Sequence, residues 1–243
     1  MKNKKSRKVL ILGGSSDIGV EVVKIFLKLQ WKVTAHFFKN KKKLETIKKT
    51  SKNLNLIKFN FLNYKNFNVE KLMRKKFNEK YDSIINLVGY IDNKGFENTN
   101  LKSILNSLVA NTILPILIEK MLVKRMLYNN WGRILNCSGI GVKFGGGKNS
   151  YNYHLSKHCL EFIPNSYKVW AKKNVFINNL RVGVTNTKIH KRMKKNLKKS
   201  ERLKLIPINR MAEPKEIATY ITDLATEKNS YMTGQTINIS GGE

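Results

Sequence analysis

Residues 8–29 read KVLILGGSSDIGVEVVKIFLKL. Val9, Leu10, Ile11 and Leu12 form an unbroken apolar run, the pattern of a short strand covered on both faces. Gly13 permits a tight turn, and the residues after it repeat their apolar members at helical intervals, predicting a helix near 15–29. Gly19 leaves that helix room to lie close to the sheet. A glycine turn that joins a strand to a helix N-terminus offers backbone N–H groups and a positive dipole end to a pyrophosphate.

The same alternation continues along the chain. Strands are predicted at 31–37, 56–61, 83–89, 132–138, 175–182 and 236–240, and helices near 40–50, 66–78, 100–128, 153–172 and 213–226. Strands that alternate with helices build βαβ units, so the expected fold is α/β: one doubly wound parallel sheet, of Rossmann type, with helices on both faces. No linker, repeat or low-complexity tract divides residues 1–243. Residues 1–7 read as a short basic extension. Two cysteines, Cys137 and Cys159, are too few for a disulfide framework, which points to a reducing, cytoplasmic setting. No stretch reads as a signal peptide or a membrane span. Forty-seven Lys and Arg against sixteen Asp and Glu give a net charge of +31. Such a field suits an anionic partner, but the charges are spread over several runs with no nucleic-acid-binding signature, and nucleic acid is not the expected partner. His36, His154, His158 and His190 form no metal pattern.

Motifs recur in one order. GGSSDIG (13–19), NLVG (86–89), Asn111, GRILNCSG (132–139), Tyr153-x-x-x-Lys157, RVGVTNT (181–187), PINRMAEPKEIA (207–218) and YMTGQTINISGG (231–242) together resemble the short-chain dehydrogenase/reductase family over about residues 7–243. The resemblance implies a nicotinamide dinucleotide bound by Gly13, Ser15, Ser16, Asp17, Ile18, Gly19, Phe37, Lys39, Asn60, Asn86, Gly89, Tyr153, Lys157, Gly183, Val184 and Thr187. In the cofactor-binding segments, Asp17 and Val182 depart from the family pattern. Asp17 stands where the family has its middle glycine, and Val182 replaces a proline. An Asp near the pyrophosphate weakens cofactor binding unless it turns away to cap the helix. Phe37 stands where NAD-preferring relatives place an acid, and Lys39, Lys41, Lys42 and Lys43 follow, so NADP(H) is expected over NAD(H).

Carbonyl reduction needs a proton for the developing alkoxide, and a tyrosine can supply it. Lys157 lies one helical turn from Tyr153 on the same face, where its charge would favour the tyrosinate; three pK units need roughly 4 kcal/mol. By resemblance Lys157 also binds the nicotinamide ribose, and Asn111 holds a relay water. The family serine that bonds the substrate carbonyl aligns with Gly139, and Ser138 falls one position early. Neighbouring strand residues point to opposite faces, so three possibilities stand open: Ser138 serves after a local shift, another polar group or water serves, or catalysis is impaired. The leading expectation is an active NADP(H)-dependent enzyme interconverting a carbonyl and an alcohol, with Tyr153, Lys157, Asn111 and Ser138 as its catalytic set. Alternatives are a nucleotide-binding pseudoenzyme and a basic nucleic-acid-associated protein.

Residues 185–207 correspond to the family's substrate lid, and their many cations suit an anionic substrate, such as a sugar-linked compound or a thioester on an acidic carrier. Pro164 should end or kink the 153–172 helix near 163, and Pro115 should bend the 100–128 helix. Both helices belong to the family's four-helix interfaces, which implies a homodimer or homotetramer.

Overall fold

A computed structural model describes residues 6–64, 68–188 and 203–243. Its strands are β1 (Lys8–Leu12), β2 (Lys32–Phe37), β3 (Leu54–Lys58), β4 (Ser83–Asn86), β5 (Gly132–Gly139), β6 (Val175–Val182) and β7 (Thr236–Ile239). All pair in parallel, in the order β3-β2-β1-β4-β5-β6-β7. The helices are α1 (Asp17–Lys28), α2 (Lys42–Thr50), α3 (Val69–Lys76), α4 (Leu101–Leu108), α5 (Leu114–Tyr128), α6 (Tyr151–Leu160), α7 (Tyr167–Ala171) and α8 (Pro214–Leu224).

Strand alternation divides the core in two. Val9 and Ile11 of β1 face one side, where they join Val22, Val23 and Phe26 of α1 and Ile217, Ala218 and Ile221 of α8. Leu10 and Leu12 face the other, with Met73 of α3 and Ile118, Leu122 and Met126 of α5. The strand order reverses between β1 and β4, so a crevice opens at the C-terminal ends of these strands, the place where doubly wound sheets take ligands.

Three elements differ from the sequence expectation. β3 begins at Leu54 and ends at Lys58; Phe59 still donates its N–H to the Phe37 carbonyl at 3.1 Å, and its ring packs edge-on with Phe61 and Phe77. The 153–172 helix starts at Tyr151 and stops at Leu160; Pro164 lies in the break, and α7 resumes after it. The arrest comes earlier than Pro164 alone requires, since Asn179 Nδ2 donates to the Glu161 carbonyl at 2.7 Å and takes it out of the helical ladder. Between α4 and α5, Val109–Ile113 form a π-helical turn. Pro115 has no N–H to offer the Asn111 carbonyl, so the predicted bend takes the form of a widened turn.

The continuous helical stretch Leu101–Tyr128 is long and apolar enough to cross a membrane by length and composition alone. Half of its most apolar part is buried within the domain. Ile118 and Met126 are wholly buried against the sheet, and the stretch serves as a core helix.

Candidate active site

The phosphate loop is built by close approaches. A Cβ on Gly13 would lie 2.7 Å from the Leu87 carbonyl oxygen, and one on Gly19 would lie 2.6 Å from the Gly13 oxygen. Gly13 also has φ +76°, which glycine adopts without strain. These contacts draw α1 onto the end of β1 and leave a cradle of backbone amides. Ser16 caps α1: its Oγ accepts from the Gly19 N–H at 3.0 Å and donates to the Gly13 carbonyl at 2.8 Å. Ser15 lies in the same turn, and Ile18 packs against the core.

Asp17 is not the cap of α1, a part taken by Ser16. Its Oδ1 accepts from Lys43 Nζ at 3.0 Å and its Oδ2 from the Lys188 N–H at 2.9 Å. These partners hold its carboxyl below the usual range although burial pushes it up. The carboxylate is therefore compensated, and it ties the segment after β6 to the start of α1. In that segment Gly183 donates its N–H to the Ile239 carbonyl, and the Val184 carbonyl accepts from Ala212. Thr187 Oγ1 donates to the Thr185 carbonyl.

His36 was not singled out for this site by sequence. Its Nδ1 accepts the Gly13 N–H at 3.1 Å, its Nε2 lies 3.0 Å from the Phe59 carbonyl, and its own carbonyl accepts from Gly14. A carbonyl only accepts, so Nε2 carries the hydrogen and the ring is neutral. Burial pushes its pKa down to about 4. Phe37 ends β2 beside it, Lys39 follows in the exposed turn, and Asn60 lies past the end of β3, where its Oδ1 accepts from Leu62. Asn86 is buried; its Oδ1 accepts the Val88 N–H at 3.1 Å and so shapes the turn that leads to exposed Gly89.

Lys157 is one of the largest wholly buried side chains. Its Nζ donates to the Val88 carbonyl and to the Cys137 carbonyl, both at 2.7 Å. The ammonium thus lies between the ends of β4 and β5, 5.9 Å from the centre of the Tyr153 ring. Desolvation brings its pKa down to about 8. Tyr153 goes the other way, pushed up to about 12 chiefly by burial. Lysine and tyrosine share a face, and the lysine ammonium is bonded to two backbone carbonyls.

Asn111 is fully buried, and its side chain is wholly engaged. Nδ2 donates to the Tyr90 carbonyl and to Ser156 Oγ, each at 2.9 Å, and Oδ1 accepts the Tyr90 N–H at 2.7 Å. It clamps the segment after β4 to α6, one residue from Lys157. Arg181 pairs with Glu161 through two short contacts, 2.8 and 2.6 Å, and fixes the other end of α6 to β6.

Ser138 is buried at 4% exposure, with its Oγ lacking a hydrogen-bond partner among the described residues. Gly139 is the strand-end residue beside Tyr153: a Cβ there would lie 3.9 Å from Tyr153 Oη. Alternation therefore holds to the end of β5, and Ser138 has not shifted into the expected serine position. The lid expected at 185–207 falls largely outside the described residues, as do residues 1–5.

A family model described as enoyl-(acyl carrier protein) reductase matches residues 13–243. The 3-oxoacyl-[acyl-carrier-protein] reductase FabG of Chlamydia pneumoniae is 27% identical over 243 residues, covering 97% of this chain and 96% of its own. The protein of the same name from Aquifex aeolicus is 29% identical over 180 residues, 71% of this chain and 72% of its own. Among solved structures, YwfH, an NADPH-dependent reductase involved in bacilysin biosynthesis, superposes with a TM-score of 0.82 at 22% identity and covers 98% of each chain.

Proposed function

The chain belongs to the short-chain dehydrogenase/reductase family, and from that premise we propose that it uses NADPH to reduce a carbonyl to an alcohol on a thioester held by an acidic carrier. The observation that carries this reading is the burial of Lys157 between the β4 and β5 carbonyls, one helical turn from Tyr153. A buried ammonium is costly. The position makes chemical sense if the group meets a ribose hydroxyl with its remaining N–H while it holds positive charge near the phenol.

The cradle suits the cofactor. Gly13 and Gly19 clear a bed of amides that any Cβ would obstruct, and Asp17 already has its charge met by Lys43 and Lys188. Lys39, Lys42 and Lys43, with no acid at Phe37, favour a 2′-phosphate. A reduced nicotinamide bound there supplies a hydride to the carbonyl carbon. Tyr153 gives its phenolic proton to the oxygen that becomes negative, Lys157 stabilises the resulting phenolate, and Asn111 keeps α6 in place through Ser156. The thioester reading draws on the names of the full-length relatives and on the excess of cationic side chains.

Fluorescence titration with NADPH and, separately, NADH tests the first half, because neither needs a substrate. Saturable binding at least tenfold tighter for NADPH is expected. NADPH consumption with 3-oxoacyl thioesters on acyl carrier protein tests the second half. Absence of binding by either nucleotide would favour the alternative of a protein that has kept the fold without the chemistry.

A further inference from the structure

We propose that His154 is a catalytic residue, giving the substrate oxygen the hydrogen bond for which the strand end, with Gly139 in place of a hydroxyl-bearing residue, has no side chain. The inference deepens the reductase reading and rests on it. The point that a Cβ would occupy on Gly139 lies 3.9 Å from Tyr153 Oη and equally 3.9 Å from His154 Nε2. Among the described residues no side chain comes closer to that point than 3.8 Å. A substrate oxygen seated over Gly139 and drawn to Tyr153 thus has the imidazole as its second polar neighbour. Ser138 is buried in the strand beside it.

The glycine-rich segment is shaped around this ring. A Cβ on Gly141 would come within 2.3 Å of Nε2, and one on Gly146 within 2.8 Å of Nδ1. Both glycines are therefore required by the imidazole. Nδ1 lies 2.9 Å from the Ser150 carbonyl, which fixes the ring and assigns the hydrogen to Nδ1. Nε2 is left to face the gap. As a neutral imidazole it accepts from a substrate alcohol; once protonated it donates to a carbonyl or alkoxide oxygen.

The titratable groups around the ring are Tyr153 and Lys157 on α6 and Cys137 on β5, while Gly139, Gly141 and Gly146 present backbone. Burial and Lys157 lower the imidazole pKa, and the Ser150 carbonyl raises it. Burial pushes the Cys137 thiol up to about 12, so it is neutral. Negative charge growing on the substrate oxygen opposes the Lys157 effect and favours the cation. The electron count is that of the reductase step. Hydride brings two electrons to carbon, the carbonyl π pair moves to oxygen and Tyr153 delivers the proton; the Nε2 hydrogen that His154 donates is taken from solvent before the step, because Nδ1 holds the neutral ring's one hydrogen, and it stays on the imidazole.

The experiment compares wild type with H154A, H154Q and the double variant G139S/H154A, using NADPH and a 3-oxoacyl thioester. Losing one donor to a developing oxyanion costs about 10²–10³ in kcat, so H154A should fall by roughly that factor while its NADPH Kd stays within about threefold. H154Q, whose amide offers an uncharged donor, should keep at least about a tenth of wild-type kcat. G139S/H154A should regain about tenfold or more over H154A, because the new hydroxyl stands at the same gap. H154A within about threefold of wild type would overturn the proposal, as would parallel loss of NADPH binding or failure of the serine to rescue. A wild-type protein that binds NADPH but reduces no carbonyl would remove the reductase reading together with this inference. An active wild type with an active H154A would remove the inference alone.

Discussion

At the scale of single residues, the site depends on two buried groups whose protonation states burial has shifted. Tyr153 is held protonated, which suits a proton donor, so Tyr153→Phe should lower kcat by about 10³-fold or more with NADPH affinity unchanged by fluorescence titration. Lys157 titrates near 8. Reduction should therefore fall as pH rises through about 8, where the ammonium loses its charge, and a kcat/KM profile at fixed NADPH would show it. His36 gives a stability prediction. Its folded pKa, about 4, lies below the unfolded 6.5, so between these values the unfolded chain binds more protons and stability drops as pH falls. The full shift is worth about 3 kcal/mol. Urea midpoints measured from pH 7 to 4.5 should drop more steeply for wild type than for His36→Leu, which should also bind NADPH more weakly because the Gly13 N–H loses its acceptor. Tyr153 and Lys157 were legible in sequence because a four-residue interval on a helix fixes a shared face. The lodging of Lys157 was not, since its partners are backbone carbonyls 69 and 20 positions away. His36 was missed for the same reason: its partners are an N–H and a carbonyl, which carry no side-chain signature.

At the scale of elements, hydrophobic periodicity placed all seven strands within a few residues, and it failed where a tertiary contact ended an element. Phe61 looks like a continuation of β3 in sequence, yet it lies beyond the strand end and packs edge-on against Phe59 and His36. The π turn at Val109–Ile113 shows the converse. Pro115 is visible as a helix-breaker, but the widened turn puts Asn111 where its amide spans two segments, and only the fold reveals the pair it joins. Asn111→Ala removes three buried hydrogen bonds and strands the Tyr90 backbone. At about 1–3 kcal/mol per buried group left unpaired, the expected loss is about 2–5 kcal/mol, seen as a fall in Tm of about 5–15 °C. The same variant should lose kcat more than NADPH affinity, because the clamp holds α6 and does not touch the phosphate loop. A fall in Tm with kcat unchanged would confine Asn111 to a structural role.

At the scale of the whole molecule, the unexplained quantity is charge. A net +31 opposes folding by self-repulsion, and ion pairs among the described residues are mostly partly exposed, where each contributes about 0–1 kcal/mol. No stabilising role accounts for the excess of lysine. An acidic carrier would be steered to such a surface, and steering is the effect that salt removes: the Debye length shrinks from about 10 Å at 0.1 M to about 3 Å at 1 M. This separates recognition of the carrier from recognition of the acyl chain. With NADPH saturating, KM for a 3-oxoacyl group on acyl carrier protein should rise about tenfold between 50 and 500 mM NaCl. KM for the same acyl group on an uncharged short thiol should change by less than about twofold, and kcat for both should hold. Equal salt sensitivity of the two substrates would place the effect in the active site and leave the basic surface without a part in carrier binding. Equal insensitivity would mean that the field does not guide the substrate, and the carrier would have to be recognised by shape.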